Sequence, residues 1–183
     1  MPNYRRAWLP GGTFFFTLVT HQRRPIFLEE SARQTLKQAF TEGMRKAGKF
    51  EIIAFCLLPD HLHCIWTLPE NDGDYSTRWK VIKAWFSHAY RKQGGTPGDL
   101  TASKIRKGEV GIWQRRFWEH LIRDVDDLNR HIDYIHYNPV KHGLAQSVNA
   151  WQWSTFHRYV RDGFYPPDWG NEPIDFEMNE EME

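Results

Sequence analysis

EIIAFCLLPDHLHCIWTL, residues 51–68, holds two apolar runs, Glu51–Leu58 and His61–Leu68, with only Pro59 and Asp60 between them. A tight antiparallel hairpin is the economical reading. Successive side chains on a strand alternate faces, so His61 and His63 point one way while Leu62, Cys64 and Trp66 point the other. Outward from the hairpin, Thr13–Thr20 (TFFFTLVT) follows a Gly-Gly turn and reads as a buried strand. Ser31 opens a helix with Leu36, Phe40, Met44 and Ala47 at helical spacing, closed by Gly48. A second helix fits Ser76–Lys92, with Trp79, Ile82, Phe86 and Ala89 on one face. Trp113–Arg123 returns to strand-like aromatics. Val125–Tyr137 gives a third helix with Leu128, Ile132 and Ile135 as its buried stripe, closed by Asn138 and Pro139 because a residue before proline is pushed out of the α region. The order βαββαβ plus a helix predicts an α+β fold: a ferredoxin-like antiparallel sheet with helices on one face, plus a C-terminal helix. No internal repeat is visible.

A chain of 183 residues with 40% apolar content is long enough for one good core, so one domain is expected over residues 1–165. Within it, 93–111 (QGGTPGDLTASKIRKGEVG) has no apolar period and reads as a flexible basic loop, while 166–183 forms an acidic tail. The stretch after Gly143 has little periodicity and is expected to be mobile or draped on the surface. No run approaches the roughly 20 apolar residues that span a bilayer, and a secretory h-region is lacking, so a soluble cytoplasmic protein is expected. Cys56 and Cys64 make no disulfide framework.

The formal net charge of +1 hides a segregation. Between Arg78 and Arg123 eleven Lys and Arg face three acids, and from Asp168 onward there are seven acids and no base. The basic segment is interleaved with Trp79, Trp85, Trp113, Phe117 and Trp118, a pattern that suits single-stranded nucleic acid, whose phosphates meet the cations and whose bases stack on the rings. A solvated surface over core tryptophans is the other reading.

Two imidazoles on one strand face can share a metal, or can be two hydrogen-bonded histidines beside an ordinary sheet. Cys56 falls opposite His63 if the turn has two residues, and thiolate ligation would point to zinc, although the donor set stays incomplete. On the late helix, Tyr134 and Asn138 are one turn apart and share a face, with Tyr134 away from the apolar stripe. If this helix packs near the histidines, Asn138 supplies an oxygen ligand beside them, and mixed nitrogen and oxygen donors suit Mg²⁺ or Mn²⁺. Tyr137 is the rival nucleophile, with Lys141 rather than a ligand at the same spacing.

HLH followed by DYIHYNPVKHG resembles the single-tyrosine HUH transposases. The details are similar to the branch of REP-associated tyrosine transposases, bacterial proteins linked to repetitive extragenic palindromes. The resemblance runs from YRR at Tyr4–Arg6 through GGTFFFT, LPDHLHCIWTLP, RRFWEHLIRD and YIHYNPVKHG to WSTFHR, and departs at the 93–111 loop and the tail. Related insertion-sequence enzymes carry Gln where Asn138 stands. The resemblance implies a metal at His61, His63 and Asn138, attack by Tyr134 on phosphorus, a 5′-phosphotyrosine and a free 3′-OH. It also implies a single-stranded or hairpin DNA substrate, with contacts from Arg5, Arg6, Arg115, Arg116 and His157. A non-catalytic DNA-binding regulator on the same fold is the competing reading, and a zinc hydrolase lacks a third nitrogen or carboxylate ligand.

Overall fold

The computed structural model describes residues 7–172 and 174. Four strands, β1 (Thr13–Val19), β2 (Glu51–Leu57), β3 (His61–Thr67) and β4 (Trp118–Leu121), form one sheet in the order β2-β3-β1-β4. Every neighbouring pair is antiparallel, as the βαββαβ reading requires. The hairpin turn is tied by two bonds to the Asp60 carbonyl, from the Thr20 amide at 2.8 Å and the Thr20 hydroxyl at 2.9 Å. Pro59 has no donor to lose there.

Helices α1 (Glu30–Ala47) and α2 (Tyr75–Lys92) cover one face. The core between them is largely aromatic: Phe50, Trp66 and Trp79 stack at 3.9 and 4.1 Å between ring centroids, which fastens β3 to α2. The two helices touch at Gly43, where a Cβ would lie 2.3 Å from Ile82 Cγ1, so only glycine permits this approach. Buried Arg78 is satisfied by Asp72 Oδ2 at 2.7 Å and by the carbonyls of Gly48, Lys49 and Asp74.

Helix α4 (Val125–Lys141) covers the other face, packing Ile132, Tyr134 and Ile135 on Phe15, Ala54, Cys56 and Ile65. Its N-cap Asp124 accepts the Asp127 amide at 2.8 Å. The expected stop at Asn138 is corrected: the helix continues through Pro139 to Lys141. Only the last turn follows the proline, and the chain closes it with bonds from His142, Gly143 and Leu144 to the carbonyls of Asn138, Val140 and Pro139.

Two loop expectations also change. Residues 93–111 contain a short helix, α3 (Ala102–Arg106), and are fastened at both ends. The stretch after Gly143 is not draped loosely. It covers the free edge of β2, through Leu57 N to Trp153 O and Thr155 N to Phe55 O, both 2.9 Å, and through α5 (Phe156–Arg161), whose Arg158 donates to the Ile52 and Ile53 carbonyls. Covering an edge removes its capacity to pair with another sheet. Among the described residues no helix is long and apolar enough to cross a membrane. Most of the acidic tail, with Arg5 and Arg6, lies outside the described residues.

Candidate functional site

The β1–β3 register sets His63 opposite Thr17 and His61 opposite Val19, on the face that α4 covers. The two imidazoles lie 4.9 Å apart between ring centroids. Each has one nitrogen already engaged. His61 Nδ1 meets Asp60 Oδ1 at 2.5 Å, and His63 Nδ1 meets Thr17 Oγ1 at 2.9 Å. With Nδ1–H donated to these oxygens, the Nε2 lone pairs are left for a ligand, and an oxygen behind the ring fixes its orientation as is usual for metal-binding histidines.

Electrostatics point the same way. Burial, reinforced by the charges of His61, His142, Lys141 and Arg23, pushes the His63 imidazole well below its ordinary pKa, so it is held neutral, as ligation requires. Burial works to raise the Asp60 carboxyl, but its hydrogen bond to His61 and the charges of His61 and Arg23 hold it below the usual carboxylate range. His63 Nε2 is buried and has no hydrogen-bond partner among the described residues.

Helix α4 brings the rest. Asn138 is fully buried, and among the described residues neither its amide oxygen nor its amide nitrogen has a hydrogen-bond partner. Each such group costs about 1–3 kcal/mol when left unsatisfied. A cation-binding site accounts for the oxygen, so the residues present fit a metal: two imidazole nitrogens and one carboxamide oxygen. The Tyr134 ring stands 5.3 Å from the His63 ring and 6.2 Å from Phe15. Its expected place away from the apolar stripe is corrected: Tyr134 is 1% exposed and belongs to the same buried cluster as Ile132 and Ile135, because α4 is covered by the sheet. Lys141, two turns on, places Nζ 5.1 Å from the centroid of the Tyr134 ring, and His142 stands 5.5 Å from His61. In the sequence Lys141 stands only as the residue one turn beyond Tyr137 and His142 has no role, because the expected helix stop at Asn138 leaves both outside the site.

Cys56 does sit opposite His63. Burial pushes its thiol far above the ordinary range, against hydrogen bonds with Ser154 and Trp151, so it stays protonated and is a poor ligand. Cys64 lies on the other face.

A second cluster, His120, Asp127 and His131, brings donor atoms within 4.8 Å of one another. Its geometry is that of a structural tie. Asp127 Oδ2 accepts His120 Nε2 at 2.8 Å, the Arg123 amide at 3.0 Å and Arg123 Nε at 3.1 Å. The two imidazoles are stacked, 14° from parallel at 4.6 Å, so their in-plane lone pairs do not converge. The cluster locks β4 to the first turn of α4 and thereby sets where Tyr134 stands.

The expected DNA contacts are not brought to one place. Arg115 and Arg116 are exposed just ahead of β4, and Arg115 lines a cleft with Lys80 and Lys83 of α2, on the sheet face opposite the histidines. His157 lies on α5, with Nε2 3.0 Å from the Trp151 carbonyl.

The family model described as "Transposase IS200 like" matches residues 12–138. The REP-associated tyrosine transposase of Escherichia coli K12 is 43% identical over 182 residues, covering 100% of this chain and 99% of its own. A relative from Haemophilus influenzae is 43% identical over 94% of this chain and 96% of its own. A solved structure of a REP-associated tyrosine transposase bound to a REP hairpin superimposes with a TM-score of 0.79 at 45% identity, over 97% of this chain and 96% of that one.

Proposed function

Since the chain belongs to the IS200-like transposases, in their REP-associated tyrosine branch, we propose that it cuts and rejoins single-stranded DNA beside REP-type hairpins, with Tyr134 as nucleophile and a divalent cation, Mg²⁺ or Mn²⁺, at His61, His63 and Asn138. The observation that carries this reading is the Tyr134 ring 5.3 Å from the His63 ring, with the buried Asn138 amide one turn further along the same helix. A cation bound there supplies Lewis-acid polarisation of a non-bridging phosphate oxygen.

The chain's own groups do the rest. A phenol with an ordinary pKa near ~10 is a weak nucleophile and must lose its proton as the bond forms. Tyr134 Oη attacks phosphorus, the bond to the 3′ oxygen breaks, and the phenolic proton passes, directly or through water, to that leaving oxygen. The products are a 5′-phosphotyrosine and a free 3′-OH. Attack by a second 3′-OH reverses the step, so rejoining needs no nucleotide cofactor. Tyr134 is buried under Lys141, so strand entry displaces the Lys141 side chain, whose ammonium then meets the incoming phosphate. Asp60 and Thr17 hold the imidazoles in the ligating orientation.

Arg115, Arg116 and His157, with Arg5 and Arg6, are proposed as substrate contacts, the phosphate-facing ones fixing position and the others reading unpaired bases. The test is incubation with a REP hairpin carrying a single-stranded flank, with Mg²⁺ or Mn²⁺. A covalent protein–DNA adduct and a released 3′-OH strand are expected, and EDTA abolishes both. Tight binding with no adduct under any divalent metal would instead favour a non-catalytic regulator.

A further inference from the structure

The segment 93–111 takes no part in the chemistry above, yet it is folded. Gly98 and Gly111 meet through a 2.7 Å bond from Gly98 N to Gly111 O, and a Cβ on Gly111 would lie 2.5 Å from Gly98 O. His21 Nε2 donates to the Asp99 carbonyl at 2.9 Å, and Arg24 donates to the Thr96 carbonyl at 2.7 Å and to its hydroxyl at 3.2 Å. From this closed base the chain runs out through Thr101, which caps α3, and returns after Gly108, whose φ of +72° ends the helix. No residue of α3 is buried. At its tip Ile105 is 61% exposed, with Arg106 and Lys107 exposed beside it and Lys104 half-buried.

The finger is aimed by its base. His21 N donates to Ile112 O at 2.8 Å and Gln114 N to Val19 O at 2.9 Å, while Val19 pairs with His61. Arg23, between His21 and Arg24, reaches the Asp60 carboxylate that holds His61. The finger therefore springs from the end of the sheet where the histidines begin, and Arg115 and Arg116 continue its cationic run into β4.

We propose that residues 99–110 are a DNA-engaging finger: Lys104, Arg106 and Lys107 neutralise phosphates of the substrate while Ile105 wedges against an unstacked base where the hairpin stem meets the single strand. An exposed aliphatic side chain between cations, on a turn held rigid at its base, matches the apolar wedges that open base steps, and the charge complements a polyanion. The inference rests on the transposase reading above for the identity of the DNA.

The experiment uses the full chain and a REP hairpin with a single-stranded flank, carrying 2-aminopurine at the junction. Wild type should raise the 2-aminopurine signal on binding. Ile105→Ser should bind about threefold to tenfold more weakly and leave that signal low, with an unchanged salt slope. Lys104→Ala/Arg106→Ala/Lys107→Ala should lower the slope of log K against log salt by about two to three. Thermal melts that match wild type keep both variants interpretable, and α3 has no buried residue of its own to disturb. Wild-type affinity, slope and fluorescence in both variants would overturn the finger. Adduct formation by wild type is read in parallel on an unpaired oligonucleotide, so a failed finger with a working Tyr134 is distinct from a failed transposase reading.

Discussion

Asp60 grips His61 from the adjacent position in the chain, its Oδ1 2.5 Å from Nδ1, and so fixes which imidazole nitrogen is offered to a ligand. A carboxylate behind a ligating histidine orients the ring and raises its basicity, and loss of such a partner typically costs about 10–100-fold in metal affinity. Asp60→Asn keeps the size and an acceptor oxygen but removes the charge. Mn²⁺ titrations followed by calorimetry should show affinity falling within that range while the fold is retained. Wild-type affinity in the variant would remove Asp60 from the site.

Asn138 separates a metal-binding role from a structural one by the sign of its effect. Its buried amide has no hydrogen-bond partner among the described residues. An apolar residue of similar volume therefore relieves an unsatisfied group. Asn138→Leu should melt at or above the wild-type temperature without metal, and lose the upward shift that saturating Mn²⁺ gives wild type. A variant that is destabilised without metal yet still shifted by Mn²⁺ would contradict the assignment.

Acid should weaken the fold before it protonates the carboxylates. Burial, with the charges of Arg158 and His157, lowers the His136 imidazole to about 3 from 6.5. The unfolded chain thus binds a proton below 6.5 that the folded one refuses. That makes the slope of unfolding free energy against pH positive between those values, and stability falls as pH drops from 6.5 toward 3. His136→Gln, which can still bond to Thr155 Oγ1, should flatten urea-unfolding free energies over pH 6.5 to 4.5. An unchanged slope would mean that His136 is not the linked group. His63 and His131, also lowered chiefly by burial, supply the remainder.

The sequence made legible whatever depends on local periodicity. Alternation put His61 and His63 on one face, and helical spacing placed α1, α2 and the start of α4 within a residue or two of their observed ends. It misled where tertiary packing decides. Tyr134 lies off a single apolar stripe, but α4 is buried on a broad front against the sheet. Pro139 signals a helix stop, but one closing turn tolerates it, and Lys141 and His142 are thereby carried to the site. Asp60 stood in plain view in PDHLH, and adjacency to a candidate ligand, His61, was the signal that could have found it. The tie of His120, Asp127 and His131 joins two elements with no shared period, so only the assembled fold reveals it.

Localisation of the covalent bond tests the central claim most directly. After reaction with a hairpin substrate and Mn²⁺, nuclease trimming and tryptic digestion, the peptide His131–Lys141 contains both Tyr134 and Tyr137, and fragmentation separates them. The account predicts a nucleotide remnant on Tyr134, retained in Tyr137→Phe and absent from Tyr134→Phe. A remnant on Tyr137, or an adduct that survives Tyr134→Phe, would contradict it.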